Sequence, residues 1–234
     1  MSENKTGKYL KYAIGEIILV MIGILLALQV SEWNTNSKRQ QQETQILKDL
    51  HTEFTENKVQ LDTVVKYHAT VRNGAKNIIE LFPIDTKTVN IDSLNGYMRQ
   101  MRFKYTFNPQ QTTINTLTST SSFDLISNTE LRKVLQRWSE LFNDYRDEEL
   151  ALVRLTENDY HPFLSKHTSM SLAGLKNPKV NLEFVTSLEF ENYVRRMFYA
   201  MQNILGLRNE ISEIDNVYSS INRIIELTET SAND

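Results

Sequence analysis

The sequence predicts an all-α protein: one N-terminal transmembrane helix followed by an elongated antiparallel helical bundle. Three observations predict it. Residues 12–30, YAIGEIILVMIGILLALQV, carry one charge, Glu16, and one other strongly polar side chain, Gln29. As a helix this run spans roughly 28 Å, close to the hydrocarbon thickness of a bilayer. Seven Gly and four Pro in 234 residues fall well below the average usage of about 7% and 5%, and few turn-makers mean long helices with few connections. Beyond residue 46, apolar side chains recur at alternating steps of three and four, the period of helices buried along one stripe.

The N-terminal elements follow from charge and interface chemistry. Lys5, Lys8 and Lys11 precede the apolar run, as in a secretory signal peptide, but no small-x-small cleavage pair follows Ala27 and the run outlasts a usual h-region. An uncleaved anchor is the expectation. Tyr9 and Tyr12 at one end and Trp33 at the other fit the two interfacial belts, and the lysine bias places residues 1–11 in the cytoplasm and the rest outside it. Along the span, Ala13, Glu16, Val20, Gly23, Ala27 and Ser31 fall on one face at 100° per residue. Small and polar residues thus form a stripe on which another transmembrane helix, from a second copy or a partner protein, can approach closely. Glu16 within lipid seeks a partner there, or snorkels to the headgroups or to Lys11.

Residues 34–45, NTNSKRQQQETQ, contain no apolar side chain. The segment 31–45 is therefore read as a polar stalk, about 18 Å long over its apolar-free part if helical. The domain 46–230 opens with the seam Leu47, Leu50, Phe54, Asn57, Leu61, Val64, His68, Val71, Ala75, Ile78 and Phe82, ended by Pro83. Two members of this seam are polar, Asn57 and His68, positions that set register in a bundle or, for His68, touch a ligand or respond to pH. Residues 84–108 are expected to be irregular around a short helix at 91–103 opened by Asp92. Asn108-Pro109 reads as a cap and first-turn proline leading into Ile114 and Leu117. Eight of the eleven residues from 112 to 122 are Ser or Thr, which should stop that helix before Ser121.

Asn128 opens the next predicted helix, whose buried side is Leu131, Leu135, Trp138, Phe142, Tyr145, Leu152 and Leu155; Pro162 should end it near His161. Residues 165–183, with Gly174 and Pro178, form the longest predicted loop. Ser187 caps a last helix with the seam Phe190, Val194, Met197, Met201, Ile204, Leu207, Ile211, Ile214, Tyr218, Ile221 and Ile225. Two successive steps of three beside Gly206 predict a bend there.

The string KYAIGEIILVMIGILLALQVSEWN at 11–34 resembles the N-terminal signature of a family of uncharacterised single-span membrane proteins from Bacteroidota-type Gram-negative bacteria: a Lys/Tyr flank, YAIGEI, a hydrophobic stretch ending in ALQ, and a closing WN. The matching positions are Tyr12, Ala13, Ile14, Gly15, Glu16, Ile17, Ala27, Leu28, Gln29, Trp33 and Asn34. SSFDLISNTELRKVL at 121–135 is similar to a second family pattern, with Ser121-Ser122-Phe123 where the family often has Ser-Gly. The resemblance implies an inner-membrane anchor and a helical domain in the periplasm. It implies no activity.

Function classes are narrowed mainly by exclusion. The formal charge is −3, of which residues 1–30 contribute +1 (three Lys against two Glu) and the remainder −4, without a basic tract for phosphates, so nucleic acid is excluded as a partner. Zero Cys removes disulfides and thiolate chemistry. His51, His68, His161 and His167 have no Glu three residues before them, so the paired Glu-x-x-His of a carboxylate di-metal bundle is missing. No catalytic residue, cofactor or metal is expected. The Ser/Thr cluster at 112–122 would line a pocket or serve turns and caps, and Arg99/Arg102/Lys104 and Arg195-Arg196 would meet an anionic partner or water. The leading expectation is an interaction or assembly subunit of a membrane complex or homo-oligomer. A ligand-sensing module signalling through a partner is the alternative, and an enzyme the least supported.

Overall fold

A computed structural model describes residues 5–171, 173–208 and 212–230, with side chains from residue 13 to 229. The side chains of Lys5, Lys8, Lys11, Tyr9 and Tyr12, and Ile211 of the last seam, lie outside the described residues. Those described form helices and no strand. The first helix, α1, runs unbroken through Lys5–Ile79, 75 residues or roughly 110 Å of rise. It holds the apolar run, the polar stretch and the first seam on one rod. Residues 13–30 are exposed on every side, whereas Leu47, Leu50, Phe54, Leu61, Val64, Val71, Ala75 and Ile78 are buried. The bundle begins to touch the rod within the predicted stalk, where Arg39 pairs with Asp124 at 3.2 Å.

The next elements pack against α1. Helix α2 is Ile91–Gln100, three residues shorter than expected at its C-terminal end. Its cap is Asn90, extended at ψ 106, whose side chain accepts from Ser93 N–H; Asp92 sits inside the first turn instead. Gly74 lets α2 approach α1 closely, since a Cβ there would lie 2.8 Å from Tyr97 O and from Gln100 Cβ. Residues 103–111 follow as a strap without regular secondary structure. The expected helix start at Asn108-Pro109 is not made: α3 is Thr112–Ser119. Asn108 spends its side chain on Thr106, and Asn57 of α1 takes both the N–H and the C=O of Gln110. The helix stops before Ser121 as its hydroxyl content predicts, and Ser121 takes a left-handed φ of 52°.

Helix α4, Thr129–Arg154, starts where predicted, with Asn128 accepting from Glu130 and Leu131 N–H. The helical path does not end at His161. A π-turn over Leu155–Tyr160 carries it into α5, His161–His167, with Pro162 in the first turn. The wider turn gives the reason: His161 N–H bonds five residues back to Thr156, so the ring of Pro162 enters where no four-residue hydrogen bond is demanded of it. Ser187 caps α6, Leu188–Ile204, as predicted. The expected bend at Gly206 is a full break, φ 67°, before α7 at Glu213–Thr230. Breaking the helix resets its phase. Leu207 becomes 55% exposed, and Val217 and Ile224 take the buried places expected for Tyr218 and Ile225, which stay half-buried.

Residue pairings fix how the elements meet. Trp138 of α4 packs edge-on against Phe54, ring centroids 5.0 Å apart, and Glu149 meets His68. Phe190 of α6 meets Phe82, and Phe198 lies under the Arg72 guanidinium. Tyr218 of α7 donates to Asp62 at 2.8 Å, and Thr228 lies 3.2 Å from His51.

Candidate functional site

The two groups of residues singled out by the sequence have opposite fates. Ala13, Glu16, Val20, Gly23 and Ala27 share one face of α1 but are all exposed, and nothing comes within 4 Å of a Cβ built on Gly23. The fold brings no other described element to this face. Asn57 and His68 are 2% and 1% exposed, and both hold the strap.

A strap outside helix and sheet has backbone donors and acceptors that no regular ladder satisfies, so side chains must take them. His68 takes the first. Its Nε2 lies 2.8 Å from the Tyr105 carbonyl, and because a carbonyl only accepts, the ring proton is assigned to Nε2. Phe107 N–H donates to both carboxyl oxygens of Glu149, at 3.1 and 2.9 Å. Asn108 N–H donates to Gln60. Asn57 then mimics a strand partner, receiving Gln110 N–H at 2.7 Å and donating to Gln110 C=O at 2.8 Å. Glu53 closes the series by accepting the N–H and hydroxyl of Thr113, which supplies a carboxylate to the first turn of α3.

The buried centre of this series is the His68–Glu149 pair, Nε2 to Oε1 at 3.6 Å. Burial pushes the Glu149 carboxyl up to about 8, against the opposing pull of the Phe107 N–H, and pushes His68 below its ordinary value, against the opposing pull of the Tyr105 carbonyl. Between those limits both are neutral. The pair is therefore a packed polar contact at neutral pH rather than an ion pair, consistent with the cost of two charges in an apolar interior. The Tyr145 hydroxyl beside it is pushed up by burial and then by the Glu149 charge.

Glu149 escaped the sequence reading, yet a signal existed. The second seam jumps seven residues from Tyr145 to Leu152, and the skipped position, four after one and three before the other, is Glu149. The hydroxyl cluster serves the helix itself: Thr116, Thr118 and Thr120 donate to carbonyls four residues back. Arg195 pairs with Glu191, Arg196 with Asp159 and Lys104 with Glu157. Arg99 and Arg102 instead line a cleft of about 360 Å³ between α2 and residues 164–171 and 174–175. Among the described residues no three His, Asp or Glu side chains gather as metal ligands.

The sequence pattern of a family of unknown function (DUF6090) matches residues 16–150, more than half of the chain, and the chain belongs to that family. No curated protein and no solved structure matches it.

Proposed function

From membership of a family without an assigned activity, we propose that this chain is a single-pass protein of the inner membrane that acts as an interaction or assembly subunit. Its N-terminus lies in the cytoplasm and its helices form an antiparallel bundle in the periplasm. The observation that carries this reading is the continuity of α1. One helix presents 18 residues with a mean hydropathy of 2.4 and no buried position, then becomes the central rod of a bundle with a filled core. The exposed apolar length needs lipid around it, and its Ala13, Glu16, Val20, Gly23, Ala27 face suits a second helix, of this chain or of a partner. The falling residue numbers from Phe82–Phe190 through Asp62–Tyr218 to His51–Thr228 support the antiparallel course of α6 and α7 against α1.

Cross-linking and size analysis of the full chain extracted in mild detergent test it, comparing the parent with a Glu16→Leu, Gly23→Leu double variant. The variant should shift to smaller species while its bundle melts at the parent temperature. Identical species in both would remove the span from the association. Because the chain has no Cys, single replacements Ser2→Cys and Ser187→Cys report orientation through a membrane-impermeant maleimide on intact spheroplasts. Labelling at position 187 alone is the expected result.

A further inference from the structure

The cleft beside α2 lies at the far end of the bundle. Gly74, where α2 meets α1, is 44 residues beyond Val30, about 66 Å along the rod from the end of the apolar run. Its walls are unlike the rest of the surface. Among the described residues lining it, Arg99 and Arg102 are cationic and none is acidic, while Met98, Leu164 and Leu175 form an apolar floor. Neither guanidinium has a salt-bridge partner among the described residues. Arg102 donates to the thioether of Met170 at 3.3 Å, a weak acceptor for a group with five strong donors.

The rim is built to hold this shape. Asn95 on α2 accepts Leu175 N–H at 3.3 Å. Gly174 permits that contact, with φ 52° and an Asn95 Oδ1 that would lie 2.2 Å from any Cβ. Proton accounting then leaves one donor spare. Ser169 Oγ accepts from Ser171 N–H and from Asn177 Nδ2, so its own proton goes to Ser171 Oγ at 2.8 Å. The Ser171 hydroxyl proton is left to donate.

We propose that this cleft is a binding site for a small organic acid, with its carboxylate held by Arg99, Arg102 and Ser171 and its apolar body on Met98, Leu164 and Leu175. Two guanidinium groups and one hydroxyl match the two oxygens of a carboxylate, which a planar fork grips in bidentate fashion. The volume, about 360 Å³, is at the small end for ligand pockets. The site goes beyond the assembly role and does not depend on it, because occupancy is measured whether or not the span associates.

Isothermal titration of the full chain in detergent tests it with three probes sharing one ring system: 1-naphthoate, 1-naphthyl phosphate and uncharged 1-naphthylmethanol. Micelle partitioning is removed by parallel titration of an Arg99→Ala, Arg102→Ala variant, checked for an unchanged melting curve. Naphthoate should bind the parent at one saturable site and lose at least tenfold in the variant, with Ser171→Ala losing two- to fivefold. The alcohol should not distinguish parent from variant. Equal heats from naphthoate in parent and double variant would overturn the site, and tenfold tighter phosphate would overturn the carboxylate assignment. If the variant melts early, Arg102→Lys, which keeps the charge but not the fork, replaces it: retained full affinity would then overturn bidentate capture.

Discussion

Two stretches of one helix, residues 13–30 and 47–78 of α1, share backbone geometry and differ in what they face. In the first, apolar side chains occupy every side and the folded chain covers none of them. In the second they occupy one stripe, and that stripe is buried. Hydrophobicity alone would rank the first stretch as the better core. Its exposure shows that the core is made by period, while the uncovered run is long and apolar enough to cross a membrane. The polar residues divide the same way: Asn57 and His68 have partners in their own chain, and Glu16 has none among the described residues.

The strongest break of this comparison is a matched pair of truncations. Leu61 is fully buried and Leu25 is 56% exposed. Leu61→Ala should lower the stability of the bundle by about 2–5 kcal/mol through lost burial and a cavity. Leu25→Ala removes the same atoms and should leave the melting of the bundle unchanged. Thermal unfolding of full-length variants in one detergent reads both. An equal loss at Leu25 would mean that the apolar run packs on the bundle after all.

Much of this division was legible before the fold was known, because it rests on local signals. The seam from Leu47 to Ile78 is a repeat of three and four, and the caps Asn128 and Ser187 act within three residues. What was not legible depends on distant groups. The Asn108-Pro109 pair has a helix-start composition, but Asn57, more than fifty positions earlier, takes both backbone groups of Gln110 outside any helix. Pro162 has the composition of a stop, but a π-turn absorbs it. The break at Gly206 was readable as a bend, though the seam beyond it was not, since period carries no phase across a break. The site divides similarly: His68 stood out on its stripe, while Glu149 was a gap between apolar positions and the cleft joins α2 to a loop about seventy residues away.

A second, smaller test concerns how the seam half uses its polar members. Asn57→Ala leaves the Gln110 N–H and C=O to water, and should cost about 1–2 kcal/mol. The effect should be local. Amide exchange should rise at Gln110, while Thr113, held by Glu53, stays protected. A uniform rise along α1 would instead make Asn57 a packing residue.

The finest test compares two carboxylates set among apolar side chains, Glu149 of α4 in the bundle core and Glu16 in the uncovered apolar run of α1. Burial raises Glu149 in the folded state from its ordinary 4.5 to about 8, so over that interval the folded chain holds a proton that the unfolded chain has released. Stability then falls as pH rises, and the contribution is lost by the time pH passes the folded value. His68 acts with the opposite sign: its lowered folded value makes the unfolded chain the better proton binder below 6.5, so stability there rises with pH. As pH climbs from 6.5 the unfolded histidine loses its remaining proton, so this opposing slope fades and the carboxyls dominate. Glu148, also raised by burial and by Glu213, contributes with the same sign as Glu149. Between pH 6.5 and 7.5 the Glu149 part amounts to about 1 kcal/mol. Glu149→Gln keeps an oxygen for Phe107 N–H and removes the titration, so its melting temperature should fall less over that interval. Glu16→Gln should follow the parent profile, since no described residue of the bundle touches Glu16. A parallel fall for Glu149→Gln and the parent would place the pH dependence elsewhere, and a flattened profile for Glu16→Gln would tie the span to the bundle's own protonation.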